Sequence, residues 1–192
     1  RRFVDEHLLA AAPGPSHAQI GLTNACPQNC AYCYNKGRAG TVMDADTILR
    51  LVAELKSIGV FWLGLTGGEP LLNREIVRIV EAAADGCAVK LFTTGSTLTR
   101  ELASALRDAG LFSVSVSLDH WREGEHDSAR GTPGAFREAL RALEIFRSVG
   151  GLHVGVSAVL TREMIGGARV EELLSFLAGL DIDEAWLSEV KP

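Results

Sequence analysis

Apolar positions along the chain follow two rhythms, short β-branched or aliphatic runs and longer stretches in which apolar residues recur every three or four positions. The short runs predict strands at His17 to Leu22, Val60 to Leu65, Ala88 to Phe92, Leu111 to Leu118, Leu152 to Leu160 and Glu184 to Val190. Between them, Asp46 to Ile58 carries Ile48, Leu49, Leu51, Val52 and Leu55 at helical spacing and meets a stop at Gly59. Asn73 predicts the cap of a helix through Ile76, Val77, Ile79 and Val80 to Ala84, and Thr99 opens one through Leu102 and Leu106 to Gly110. Pro133 to Val149, with proline in the first turn, and Val170 to Leu177 complete the set. Six strand–helix steps imply an α/β fold with a parallel sheet, helices outside and right-handed crossovers. The pattern alone does not distinguish an open sheet from one curled into a barrel.

Ligands of parallel α/β sheets gather at the carboxyl ends of the strands, and the unusual residues of this chain fall there. A cysteine loop follows the first strand, Gly67-Gly68-Glu69-Pro70 the second, Thr93-Thr94-Gly95 the third, Ser117-Leu118-Asp119 the fourth and Thr161 the fifth. Residues 1–16, with Pro13-Gly14-Pro15, read as a flexible lead-in, and 17–192 as one domain without internal repeat or linker. The chain stops at Lys191-Pro192 with no closing helix, as expected either of a fragment lacking a C-terminal extension or of a minimal catalytic domain.

Composition narrows the function classes. With 192 residues, 47% hydrophobic and 22% charged, the chain can bury a core of its own. A net charge of -5 with scattered basic residues gives no general attraction to nucleic acid or anionic membranes. No apolar run approaches the ~20 residues of a membrane-spanning helix, and the first residues lack a signal peptide's apolar stretch. The expected location is cytoplasmic. Four cysteines are too few for a disulfide scaffold, and three of them fall within eight residues, which points to metal or redox chemistry.

Those three, in Cys26-Pro27-Gln28-Asn29-Cys30-Ala31-Tyr32-Cys33, lie on one short loop and can converge on one site. Thiolate-rich sites select zinc, copper(I) or iron–sulfur clusters. Three ligands are one short of a closed zinc tetrahedron, and a catalytic zinc site built from cysteine alone would be unusual. An iron–sulfur cube ordinarily takes four cysteines, so three leave one iron open to a substrate or cofactor. A zinc site completed by a distant residue, or a thiol pair cycling through a disulfide, is the plainer alternative.

Cys-x-x-x-Cys-x-x-Cys, with aromatic Tyr32 before the last cysteine, resembles the signature of the radical S-adenosylmethionine (SAM) enzymes. The resemblance extends from about His17 to the end of the chain. It implies a partial (β/α)6 TIM-type barrel carrying a 4Fe–4S cluster on Cys26, Cys30 and Cys33, with SAM chelating the open iron. It also implies that one electron from the reduced cluster cleaves SAM to methionine and a 5′-deoxyadenosyl radical that abstracts a substrate hydrogen. An external electron donor such as a flavodoxin or ferredoxin is implied too.

The remaining motifs supply candidate SAM contacts. Gly67-Gly68-Glu69 resembles the family's Gly-Gly-Glu motif, which implies that Glu69 accepts from the SAM ammonium; on its own the segment reads equally as a tight turn. Alternation puts Ser113, Ser115 and Ser117 on one face of the fourth strand, and Ser117 matches a residue that contacts the SAM ribose or carboxylate. Arg130, in His126-Asp127-Ser128-Ala129-Arg130-Gly131, matches an arginine that salt-bridges the SAM carboxylate, though a helix-side ion pair explains it as well. Thr94 stands where many relatives have asparagine, keeping a hydroxyl but losing an amide. Leu160 and Tyr32 match positions that pack on the adenine, with core packing as the competing account. Cys87 reads as a small buried hydrophobe at the opposite end of the barrel. His120 and Trp121 fall at the mouth as substrate contacts or solvated side chains.

Together these motifs resemble the branch that contains peptide-modifying maturases and the cyclase of molybdenum cofactor synthesis. They imply a peptide substrate or, by the same chemistry, cyclisation or rearrangement of a small molecule or nucleotide. A non-catalytic zinc-binding module is the reading from a different class.

Overall fold

The computed structural model describes residues 14–37, 40–165 and 169–189. Six parallel strands lie in sequence order: β1 (His17–Gly21), β2 (Trp62–Thr66), β3 (Ala88–Thr93), β4 (Ser113–Ser117), β5 (His153–Leu160) and β6 (Glu184–Glu189). The connections hold α1 (Ala45–Ser57), α2 (Ile76–Ala84), α3 (Arg100–Asp108), α4 (Glu123–Arg130), α5 (Ala135–Val149), α6 (Arg162–Ile165) and α7 (Arg169–Ala178). Sequential order with every pair parallel is what repeated β/α crossovers produce. The lead-in through Pro13 and the predicted strand end at Val190 lie outside the described residues.

Strand alternation gives the sheet two chemically different faces. Ile20, Leu63, Leu65, Val89, Leu91, Val114, Val116, Val154 and Val156 are buried in one core with Ile79, Leu106, Phe146 and Leu173 of the helices. Each such side chain contributes roughly 1.5–3 kcal/mol of burial. The other face carries Lys90, Phe92, Ser113, Ser115, Ser117, Ser157, Glu184 and Trp186.

That second face is concave. Lys90 on β3 reaches Glu184 on β6, Nζ to Oε2 2.5 Å, across two intervening strands. On a flat sheet those positions would stand about 14 Å apart with parallel side chains. Contact requires curling, and the sheet is a half-barrel of the partial (β/α)6 TIM type.

Local expectations hold where a side chain caps the backbone. Thr99 accepts from Leu102 N at the start of α3 as expected, and Asp44, not anticipated from the sequence, accepts from Thr47 N and starts α1 at Ala45. They fail in three places. Asn73 accepts from Glu75 N at 3.0 Å, but Pro70–Leu72 forms a separate 3-10 turn and α2 starts only at Ile76. Pro133 stands before α5 rather than in its first turn, because the Asp127 carboxylate accepts from Gly134 N (2.6 Å) and Phe136 N (2.9 Å) and sets the start there. Helix α4 was not predicted: Glu-Gly-Glu-His-Asp-Ser-Ala-Arg has no apolar stripe, and its buried residues are the polar pair His126 and Arg130, one turn apart.

Candidate functional site

The cysteine loop leaves β1 and is pinned at its base. Thr23 bridges Val42, Asn24 N donates to Thr41 O (2.8 Å), and the Thr23 hydroxyl donates to the same carbonyl (2.9 Å). Inside the loop, Cys33 N donates to Cys30 O (3.2 Å) and Asn35 N to Cys33 Sγ (3.4 Å). All three thiols are free, with Cys30 buried and Cys26 and Cys33 half-buried. Burial pushes the Cys26 and Cys30 thiols up from the ordinary range, while the Arg130 cation pulls Cys30 back.

The Gly-Gly-Glu turn after β2 packs directly on this loop. Gly68 N donates to Thr23 O (2.6 Å) and Glu69 N to Ala25 O (2.8 Å). A Cβ on Gly68 would stand 2.2 Å from Ala25 O, and one on Gly67, whose φ is 129°, would stand 2.4 Å from Thr23 O. The glycines therefore serve the close approach of two loops. Fully buried, Glu69 accepts at Oε1 from Leu71 N (3.0 Å) and the Thr93 hydroxyl (2.7 Å). At Oε2 it accepts from Thr94 N (2.7 Å) and the Thr94 hydroxyl (2.6 Å). Four donors hold the carboxylate in one orientation near Cys26, whose thiol feels its charge.

A second buried carboxylate, Asp119, stands just beyond β4. Arg130 grips it with two nitrogens, Nη2 to Oδ1 and Nε to Oδ2, both 2.7 Å. The Tyr32 hydroxyl donates to Oδ2 and Val159 N to Oδ1 (2.9 Å). Arg130 Nη1 reaches Cys30 Sγ at 3.9 Å, and the guanidinium lies 5.7 Å from the Tyr32 ring. Burial and the Asp119 charge push the Tyr32 phenol well up. The last turn of α4 also clasps the loop, with Asn29 N donating to Arg130 O and Ala31 N to Ala129 O, both 3.1 Å.

The geometry thus brings Cys26, Cys30, Cys33, Tyr32, Gly67, Gly68, Glu69, Thr94 and Arg130 to one end of the barrel. Ser117 ends β4 on the concave face, paired in register with Ser157. Leu160 ends β5, but its register turns the side chain outward into the core. Arg130 is committed to Asp119 and the cysteine loop. His120 stacks on Trp121 at 3.9 Å and accepts from Arg122 N, a local packing role. Cys87 lies before β3 at the far end, buried, its thiol donating to Val60 O (3.2 Å).

Sequence reasoning missed Asp119, Thr93 and His126 as parts of this site. Asp119 and His126 were visible inside quoted motifs, but nothing local said that residues 87 positions apart, Tyr32 and Asp119, would meet.

The donor set fits an iron–sulfur cube. Among the described residues no three His, Cys, Asp or Glu side chains stand close enough to share a single ion. A cube instead takes its thiolates on separate irons, so its ligands surround a body rather than a point. Each thiol here still lies within electrostatic reach of its neighbours.

Among the described residues, no helix is long and apolar enough to cross a membrane. A family model described as the radical SAM superfamily matches residues 20–176. PqqA peptide cyclase of Bradyrhizobium diazoefficiens is 31% identical over 181 residues, covering 92% of this chain and 47% of that protein. The probable GTP 3',8-cyclase of Sulfolobus acidocaldarius is 31% identical over 178 residues, covering 91% of this chain and 56% of that protein. Streptococcus suis SuiB bound to S-adenosylmethionine superposes with a TM-score of 0.81 at 18% identity, over 100% of this chain and 44% of that one. SuiB bound to precursor peptide SuiA gives 0.80 at 18% identity, over 99% and 42%. The chain spans about half the length of the curated relatives it matches. With the sheet order, the cysteine spacing and a family match over most of its length, the chain belongs to the radical SAM superfamily.

Proposed function

We propose that this chain is the SAM-cleaving core of an enzyme that modifies a peptide. The observation that carries the reading is the convergence of the three-thiol loop with the buried, fourfold-anchored Glu69 at the carboxyl end of the barrel. When bound, a reduced 4Fe–4S cluster supplies the electron that splits SAM into methionine and a hydrogen-abstracting 5′-deoxyadenosyl radical.

The protein's own residues do the positioning. Cys26, Cys30 and Cys33 hold the cluster, leaving one iron for SAM. Glu69, buried and held by its four donors, contributes a fixed negative charge close behind the site of the SAM ammonium. Ser117 offers a hydroxyl from β4 to the ribose or carboxylate, and the carboxyl end of β5 at Leu160 offers backbone to the adenine. An external flavodoxin or ferredoxin supplies the electron that the reduced cluster needs.

The peptide substrate is supported by the likeness to PqqA peptide cyclase and to SuiB with its precursor peptide. The likeness to GTP 3',8-cyclase favours a second reading, cyclisation of a nucleotide by the same chemistry. The test is anaerobic reconstitution, addition of SAM and dithionite, and assay for 5′-deoxyadenosine. A brown protein that forms it supports the reading; a colourless, oxygen-stable zinc protein that forms none overturns it. Stimulation of the assay by candidate peptides or by GTP separates the two substrates.

A further inference from the structure

We propose that Asp119 is the positioning residue of the cysteine loop, shaping it before any cofactor binds by holding Arg130 and Tyr32 in one buried network. The inference rests on the reading of Cys26, Cys30 and Cys33 as cluster ligands.

The loop cannot shape itself by apolar burial. Between Cys26 and Cys33 only Cys30 is buried, so hydrogen bonds must do the ordering. The bonds that reach residues 26–33 from other segments come from Asp119 and from the last turn of α4. Asp119, 3% exposed, receives Tyr32 from the loop, Arg130 from α4 and Val159 N from β5, while its own N–H donates to His126 Nδ1 at 3.1 Å. Three separate segments of the chain, the cysteine loop, α4 and β5, therefore meet at its two oxygens and one amide.

The last turn of α4 then transmits that position. Its carbonyls at Ala129 and Arg130 accept from Ala31 N and Asn29 N, and Gly131, at φ 60°, lies so close that a Cβ there would stand 2.2 Å from Asn29 O. Moving α4 by a fraction of an ångström would break this clasp. Without the Asp119 charge, Arg130, 7% exposed, would be a buried cation without its counter-ion and would leave its place.

The test compares Asp119→Asn and Tyr32→Phe with the parent by amide hydrogen exchange in the cluster-free protein. In Asp119→Asn, peptides covering residues 28–34 should exchange roughly ten- to a hundredfold faster, with a smaller rise in Tyr32→Phe, while β2 and β3 peptides keep the parent rate. After reconstitution, iron release to a chelator should quicken in the same order. Parent-like exchange of 28–34 in both variants overturns the proposal, as does acceleration spread equally into β2 and β3. Should Asp119→Asn fail to fold, Tyr32→Phe, which removes one hydroxyl, carries the comparison. A parent protein that takes up no iron would refute the cluster reading, while the exchange comparison would still decide the role of Asp119.

Discussion

The Thr94 hydroxyl donates to Glu69 Oε2 at 2.6 Å, and the Thr94 backbone N–H donates to the same oxygen at 2.7 Å, so one residue of β3's loop makes half of the anchoring of the buried carboxylate. The hydroxyl thus anchors the carboxylate directly. Thr94→Val keeps the backbone bond and removes the hydroxyl at nearly constant volume. A neutral donor to a charged acceptor is worth about 1.5–3 kcal/mol, so the fold should lose stability on that order and Glu69 its single orientation. Urea unfolding checks this, with Thr94→Ser expected to stay near the parent.

Gly68→Ala should separate the two loops. Its Cβ would meet the Ala25 carbonyl oxygen at 2.2 Å, and a backbone oxygen cannot swing aside as a side chain can. Overpacking of this kind costs about 1–3 kcal/mol. The expected outcome is a lower denaturant midpoint together with less iron bound per chain after reconstitution.

The Lys90–Glu184 pair should respond asymmetrically. Lys90 is fully buried, flanked by Trp186 at 4.9 Å and Phe92 at 5.4 Å, whereas the Glu184 side chain is 31% exposed. Glu184→Gln strands a buried cation and should destabilise by about 2–4 kcal/mol. Lys90→Met leaves a carboxylate that water can reach, and should cost clearly less. Urea unfolding of both variants measures the difference.

Acid should weaken the fold through His126. Burial pulls its imidazole down to about 4 from an ordinary value near 6.5, and Nδ1 is already taken by Asp119 N–H. The unfolded chain therefore binds this proton first as pH falls, and stability is lost between pH 6.5 and 4. By pH 4.5 the loss is roughly 2–3 kcal/mol. Denaturation midpoints at pH 7.5 and 4.5 should differ less in His126→Gln than in the parent.

The strands were legible because their signal is local: Val114 and Val116 alternate with Ser113, Ser115 and Ser117, and the alternation sends the valines into the helix-covered core and the serines to the concave face. The cysteine motif was legible for the same reason, since its spacing lies within eight residues. Helix α4 was not, because its fixed positions are polar and its stability comes from Asp119 and the cysteine loop rather than from an apolar stripe. Three of the four donors to Glu69 lie 24 and 25 residues away on the next β/α unit. The parallel pairing of β2 with β3 brings them together, and periodicity carries no information about such pairings. For Arg130, sequence alone allowed either a ligand contact or an internal ion pair, and the structure commits its guanidinium to Asp119.

The most direct test of the account is iron and acid-labile sulfide content after anaerobic reconstitution of four single variants, Cys26→Ala, Cys30→Ala, Cys33→Ala and Cys87→Ala. The parent and Cys87→Ala should each hold about four irons and four sulfides per chain, and the other three variants should lose the cluster. Stoichiometric zinc in place of iron, or loss of the cluster in Cys87→Ala alone, would contradict it.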